Sequence, residues 1–460
     1  MTLPRYVAAM RAYKWNDDIA GLAARFFANC PGARHVILMN EAHGPVSCGT
    51  FEKVSHDEDF GRFGLPEWPV GQSLWYNGDY AYIFLRDALP DYDFYIVTES
   101  DVAVNTSLEP LVRHAAAQAI DGTMHWLQPA DPGWYWYGQA LAQKDPWQAC
   151  LFLAMFSGRA IDLMLRERQG LAAGLEAGDT ALWPIVESFV PTAMRAAGMA
   201  VSEIRDFADT RLLEYRPFKS PRDPDVLRQG SLVHPVAGGE DLVRRFLAET
   251  PVSEFFRPGS PACIALSFEA LAPVAGLLWD ALIRNGDHRD VPLLHAAMRA
   301  RGLVFPHRRD LAYGKPSRLS SVSEWSRDLD PERDAAGANG VAMHEECAFH
   351  TASEPDAWWM VDLLDECVID QVRVVNRGNI PERFRDFVIE SSSDGALWRE
   401  RLTKADDLPV SSDADAPWSA DFEDPFPARF VRIRRLGEPD YLHLRRVQLF
   451  GRPALPIGAD

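Results

Sequence analysis

The stretch "YDFYIVTESDVAVN", residues 92–105, carries an apolar run that ends at Glu99 and Asp101, two carboxylates with one serine between them. A short continuous apolar run of this kind fits a strand buried on both faces. The sequence before it repeats a strand–helix rhythm. "RYVAAMRAY" reads as a first strand and "WNDD" supplies an N-cap. Ile19, Leu22, Ala23, Phe26 and Phe27 then recur at helical spacing. "CPGARHVILMN" closes that helix at Pro-Gly and enters a second apolar strand over 35–39. A helix from Asp79, "DYAYIFLRDALPDY", stops at Pro90 and delivers the chain into the opening stretch. Buried strands separated by helices predict an α/β fold with a mostly parallel sheet and helices on both faces. Ligands in such sheets bind at the carboxyl ends of the strands.

That placement gives the acid pair a reason. In extended chain, residues i and i+2 point to the same face, so Glu99 and Asp101 would sit together past the end of a central strand. Like charges that close need a cation or a shared proton. Hard oxygen ligands suit Mg²⁺ or Mn²⁺, an ion whose shell substrate phosphates commonly complete. A solvated loop with two unrelated acids fits the spacing equally well.

Composition bounds the rest. A chain of 460 residues, 47% hydrophobic and 25% charged, is long enough for two to four domains with ample core. A formal net charge of −19 argues against a protein that holds nucleic acid through its phosphates. Six cysteines lie scattered without a CxxC pair, which predicts reduced thiols and a cytoplasmic setting. The start lacks the pattern of a signal peptide, and no apolar run reaches the roughly 20 residues of a membrane span. Peripheral membrane contact stays open.

The string "WYNGDYAYIFLRDALPDYDFYIVTESDVAV" resembles the DxD region of nucleotide-sugar-dependent glycosyltransferases of the GT-A fold, with Glu in place of the first Asp. "CLFLAMFSGRAIDLML" (150–165) resembles their acceptor-side strand and helix, and "EYRPFKSPRDPDVLRQGSLVHPV" ends in a His-Pro-Val element. The resemblance covers about residues 5–240 and implies a Rossmann-like GT-A domain over 1–250. It implies Asp101 as metal ligand, Glu99 as its partner toward metal or ribose, and His234 as third ligand to Mn²⁺ or Mg²⁺. Lys14 and Asn16, just past the first strand, are placed to meet the nucleotide, although Asn16 also suits a helix cap. Asp79 either contacts nucleotide or caps its helix. Glu187, in "WPIVESFVPT", is the candidate general base, because an acid in apolar surroundings has a raised pKa. The aromatic cluster "WYWYG" (134–138) either stacks on a sugar or packs internally. Residues 251–308 read as a mainly helical extension of this domain, "PLLHAAMRARG" included.

At about residue 309 the texture changes to polar, turn-rich sequence followed by evenly spaced short strands: "WWMVDLL", "VIDQVRVVN", "RDFVIESSS", "RFVRIRRL" and "RRVQLFG". That pattern predicts an all-β sandwich or jelly roll. With "LAYGKPSRLSS", "GANG", "FHT" and "VVNRGNIPERFRDFVIESSSDGALW" in order, residues 309–455 resemble a discoidin, or F5/8 type C, domain. The resemblance implies that Trp358, Trp359, Val361 and Leu363 pack the sandwich, and that Asn376, Arg377 and Arg383 fix loops. It implies a hairpin at "SSSDG", and glycan contact through end loops carrying Trp325, Tyr441 and His443. Where many members place a calcium-ligating Glu, this chain has Arg445 and Arg446, which argues against calcium.

Together the resemblances imply a metal-dependent transferase moving sugar from a nucleotide-sugar donor to a glycan or polysaccharide acceptor, with bacterial surface polysaccharide as the acceptor class by analogy. A glycoside hydrolase with a carbohydrate-binding module, and a non-catalytic glycan-binding protein, are the alternatives.

Overall fold

Tyr6–Ala12 forms β1, an apolar strand with six of its seven residues buried, and the first unit is built around it. The computed structural model describes residues 3–176, 183–285, 300–301, 310–340 and 346–454. The further strands of this unit are β2 (Arg34–Asn40), β3 (Lys53–His56), β4 (Phe94–Glu99), β5 (Ala103–Val104), β6 (Gly122–Pro129), β7 (Trp147–Ser157), β8 (Val201–Glu203), β9 (Asp209–Leu213) and β10 (Ser231–His234). Seven of them make one sheet in the order β3-β2-β1-β4-β7-β6-β8. From β3 to β4 every pairing is parallel, whereas β7 runs antiparallel to both β4 and β6.

The sheet is mostly parallel, as the sequence leads one to expect, and is made mixed by β7 alone among its seven strands. A parallel return needs a full crossover element. Between β6 and β7 the chain offers only one helical turn, Tyr137–Ala140, so β7 comes back antiparallel.

Two cores flank this sheet, and period-two alternation along β1 divides its side chains between them. Tyr6, Ala8 and Met10 pack with Ile19, Leu22, Phe26 and Phe27 of helix Asp17–Ala28. Val7 and Ala9 pack with helices Asp79–Ala88 and Val186–Ala196. A second, small sheet in the order β5-β10-β9 lies beyond the end of β4.

The chain divides at Gly238/Gly239 into two compact units. Helices Gly239–Glu249, Pro261–Ser267 and Leu271–Asn285 thus fall in the second unit, whereas the sequence reading attached them to the first. The expected boundary at 309 and most of "PLLHAAMRARG" lie outside the described residues.

The second unit carries β11 (Ser317–Leu319), β12 (Trp358–Asn376), β13 (Phe387–Ser392), β14 (Arg399–Lys404), β15 (Trp418–Arg435) and β16 (Leu444–Pro453). "WWMVDLL" and "VIDQVRVVN" are one long strand, β12, with an irregularity between Asp362 and Cys367. On one side of it β12 pairs with β11 and with the Phe430–Arg434 part of β15, which continues to β13 and β14. On the other side it pairs with the start of β15 and with β16. These bulged long strands join the two layers of an all-β sandwich.

Trp359, Val361 and Leu363 are buried between the layers, while Trp358 faces outward on the alternate side, its ring under Arg432. Trp358 is therefore not the core residue expected. Asn376, fully buried, donates to the carbonyls of Pro381 and Val410 at 2.8 and 3.0 Å and so fixes two loops. "SSSDG" does link β13 to β14, with Gly395 at φ +75° and Asp394 accepting from the backbone of Ala396 and Leu397.

Among the described residues, the sandwich core draws only on those between Leu311 and Leu449. A fragment spanning 310–454 should therefore fold alone. The expected outcome is a single cooperative, β-rich thermal melt by circular dichroism. A molten or insoluble fragment would mean that the sandwich borrows core from the rest of its unit.

Candidate functional site

β1 and β4 end side by side, with Arg11 opposite Glu99 in the parallel register. The Arg11 guanidinium bonds Glu99 Oε1. This cation offsets part of the repulsion between Glu99 and its acidic neighbour Asp101.

Beyond Glu99 the chain does not stay extended. It turns through Ser100 and Asp101, and Val102 N–H closes on the Glu99 carbonyl at 3.4 Å before β5 begins. The same-face argument from strand geometry thus reached the right neighbours by the wrong route. A turn, held by Val236 N–H donating to the Asp101 carbonyl at 2.8 Å, brings the carboxylates together.

β5 pairs with β10, and the end of β10 carries His234 to the same place. Its Nε2 lies 3.6 Å from Asp101 Oδ1 and 3.8 Å from Glu99 Oε2. Its Nδ1 lies 2.7 Å from the Glu214 carbonyl and therefore donates to it, which leaves Nε2 as the nitrogen free to accept. The ring stacks on Phe152 at 3.8 Å between centroids. One donor atom from each of Glu99, Asp101 and His234 falls within 4.8 Å of the others. Separations of 3.6–3.8 Å are too long for hydrogen bonds. Two carboxylate oxygens and an oriented imidazole form a donor set that fits Mn²⁺ or Mg²⁺ after a small contraction.

Glu187 opens helix Val186–Ala196 and enters the same electrostatic neighbourhood. Tyr215 Oη donates to its Oε1 at 2.7 Å, and Tyr215 Oη also lies 3.0 Å from Cys150 Sγ. Burial pushes the Glu187 carboxyl up to about 7. The Tyr215 hydrogen bond and Arg11 oppose that rise, while the Glu99 charge adds to it. The same burial, with Glu187 adding to it, raises the Cys150 thiol and keeps it protonated.

The other sequence-derived candidates fall as follows. Asn16 caps helix Asp17–Ala28, its Oδ1 accepting from Ile19 N–H at 2.9 Å. Lys14 follows β1 with its ammonium 5.4 Å from the Tyr13 ring centre. Asp79 takes neither role read from sequence. It is fully buried and makes no side-chain cap; both its oxygens accept from Arg168, Nε at 2.9 Å and Nη2 at 3.0 Å. A carboxylate closed off from solvent and paired on both oxygens has nothing left for a nucleotide. Arg168 also donates to the Pro184 carbonyl at 2.9 Å and lies over Phe189 at 3.9 Å, so the pair anchors the segment that leads into Glu187.

Sequence reasoning missed Arg11 and Tyr215. Arg11 had a signal, being the charged residue within β1's apolar run. Tyr215 had none, because only the end of β9 places it.

In the second unit Trp325 is 64% exposed, whereas His443 is fully buried. It packs edge-on to His350 at 5.2 Å, and burial lowers its pKa to about 4. His443 is therefore not a surface contact. Tyr441, partly buried, packs on the same His350 ring at 4.9 Å. Arg445 and Arg446 donate to the carbonyls of Ser412 and Gly340 at 2.9 and 3.1 Å.

Residues 320–445 match the F5/8 type C domain family. Solved structures align with about a third of the chain. The lectin domain of lectinolysin complexed with Lewis B antigen is 22% identical over 32% of this chain and 99% of that one, with a TM-score of 0.26. A Streptococcus pneumoniae fucose binding module is 24% identical over 32% and 96%, TM-score 0.25. An F-lectin from Morone saxatilis (striped bass) serum is 19% identical over 32% and 50%, TM-score 0.28. No curated protein matches the chain. No helix among the described residues is long and apolar enough to cross a membrane.

Removing the acid from the buried pair, as in Asp79→Ala, strands Arg168 as an uncompensated buried charge. The expected loss is about 3–5 kcal/mol of stability, read by urea or thermal unfolding. A loss within the range of an ordinary surface substitution would show that Asp79 is not the anchor described.

Proposed function

We propose that the first unit is a GT-A-like glycosyltransferase that binds a nucleotide sugar with a divalent cation, and that the F5/8 type C region holds the glycan acceptor. The observation that carries this reading is the convergence of Glu99, Asp101 and His234 from two sheets, with the raised carboxyl of Glu187 beside them. A bound Mn²⁺ or Mg²⁺ would supply Lewis-acid stabilisation of the departing diphosphate.

The chain's own residues do the rest. Glu99, Asp101 and His234 hold the cation, and Arg11 fixes Glu99 so that Oε2 faces His234. Glu187 accepts the proton of the acceptor hydroxyl as that oxygen attacks the sugar. Tyr215 occupies Oε1 and so orients the carboxylate. One base acting on one direct attack inverts the anomeric centre. A glycan-holding module on the same chain raises the acceptor's effective concentration. The six free thiols fit the cytoplasm, where they stay reduced.

A hydrolase built on Glu99 and Asp101 is disfavoured. Their donor atoms lie within 4.8 Å, while glycosidase carboxylates stand about 5–9.5 Å apart across a cleft.

Two variants test the two halves of the mechanism. UDP or GDP with Mn²⁺ should raise the melting temperature of the wild type, and Asp101→Ala should abolish that rise while melting normally without ligand. An undiminished rise in the variant would remove the metal site.

Glu187→Gln should keep the rise but lose about 10²–10⁴-fold in transfer rate. In the wild type the base must be ionised, so the rate falls as pH is lowered. The metal-free carboxyl sits at about 7 and its ordinary value is 4.5. A bound cation lowers it, so the acid limb should fall between those values. Transfer within about threefold of wild type, set against that 10²–10⁴-fold expectation, would take Glu187 out of the mechanism.

A further inference from the structure

Beside the acid site stands a group of aromatic rings in which Trp136 packs against the core while Trp75 and Tyr135 stand largely in solvent. Trp75 is 60% exposed and Tyr135 is 84% exposed. Trp136 lies between them, 5.8 Å from the Trp75 ring and 4.6 Å from the Tyr135 ring, edge-on to both. Aromatic area left in water forgoes the stabilisation that burial gives, so rings held together at the surface mark a place of contact.

These rings are held. Tyr76 packs edge-on to Trp136 at 6.1 Å, and its hydroxyl bonds Gln139 and the Trp183 carbonyl. Gln143 donates to Ser188 Oγ at 2.7 Å, and Ser188 adjoins Glu187. From the other side Arg11 Nη1 donates to the Leu74 carbonyl at 3.3 Å, while Nη2 bonds Glu99. The wall is thus tied to the helix of the candidate base and, through one guanidinium, to the acid pair.

We propose that this wall is the acceptor subsite and that its ligand is a neutral saccharide, with sugar rings stacked on Trp75, Trp136 and Tyr135. The proposal rests on the transferase reading, since it names the acceptor side of that site. The chemistry of the wall selects the class. Pyranose C–H faces are apolar and match aromatic faces, while the Gln139 side chain, exposed among the rings, serves hydroxyls. An anionic glycan would meet Glu99, Asp101 and Glu187, and a chain of net charge −19 is repelled by anionic lipid. An apolar protein or membrane partner would need an unbroken apolar surface, which Gln139 interrupts.

The test uses the full-length protein labelled with 5-fluorotryptophan, with the Trp75 and Trp136 signals assigned by Trp75→Phe and Trp136→Phe. Cellohexaose, maltohexaose, xylohexaose and chitohexaose are titrated to millimolar concentration, and phosphatidylcholine and phosphatidylglycerol vesicles serve as the competing surface. At least one hexaose should shift both signals, and Trp75→Ala or Tyr135→Ala should weaken that binding about tenfold without changing the melt. Silence of both signals toward all four hexaoses, or a response to vesicles alone, overturns the proposal. Thermal stabilisation by UDP or GDP with Mn²⁺, measured on the same sample, separates the two readings. Shifts without stabilisation keep the saccharide wall and refute the transferase, whereas stabilisation without shifts refutes the wall alone.

Discussion

The pairing of Arg11 with Glu99 across the ends of β1 and β4 is the contact on which the candidate site depends. Two carboxylates one residue apart repel, and a chain that places them together must offset that cost locally. Arg11 does so from the adjacent strand, where the parallel register sets it opposite Glu99. It engages one oxygen only, so the second remains turned to His234. The same guanidinium reaches the Leu74 carbonyl and fixes the segment that presents Trp75. One side chain therefore ties a strand end, an acid pair and an exposed aromatic surface.

Glu187 depends on a second, more deeply placed constraint. The Asp79–Arg168 pair has no exposed surface on either side chain. A buried ion pair gives little net stability over an apolar substitute, but its geometry is fixed by paired hydrogen bonds. Here the fixed geometry passes to function through Pro184 and Phe189, which bracket the start of helix Val186–Ala196.

What the sequence made legible followed from local rules. The apolar runs of β1, β2 and β4 and the 3.6-residue spacing in Asp17–Ala28 located the βα elements, and period-two strands located the sandwich. Acids at a strand end flagged Glu99 and Asp101 because ligands gather there. The illegible parts were all non-local. The antiparallel entry of β7 depends on what a short connection permits in space. Asp79 looked available because its partner Arg168 lies far along the chain. Tyr215 reaches Glu187 only through the packing of β9. His443 looked like a surface contact because burial of a loop residue is decided by its neighbours, His350 among them.

Charge links the proposed base to the proposed metal. Among the described residues, the Glu99 carboxylate and the Arg11 guanidinium act on Glu187 in opposite directions. Burial and Glu99 together therefore hold the Glu187 proton on, up to about 7. A divalent cation between Glu99, Asp101 and His234 would reverse that balance, and the Glu187 proton would leave more readily. Linkage makes the relation reciprocal: an ionised Glu187 favours the cation as much as the cation favours ionisation. On the proposed function, the base would then be more fully ionised when the donor's metal is in place. A carboxyl in apolar surroundings with no such neighbour would be weakly ionised at neutral pH in every state, and a fully exposed one would be ionised whether or not donor is bound. The partly buried position of Glu187, one hydrogen bond from Tyr215 and within reach of the Glu99 charge, lies between those limits.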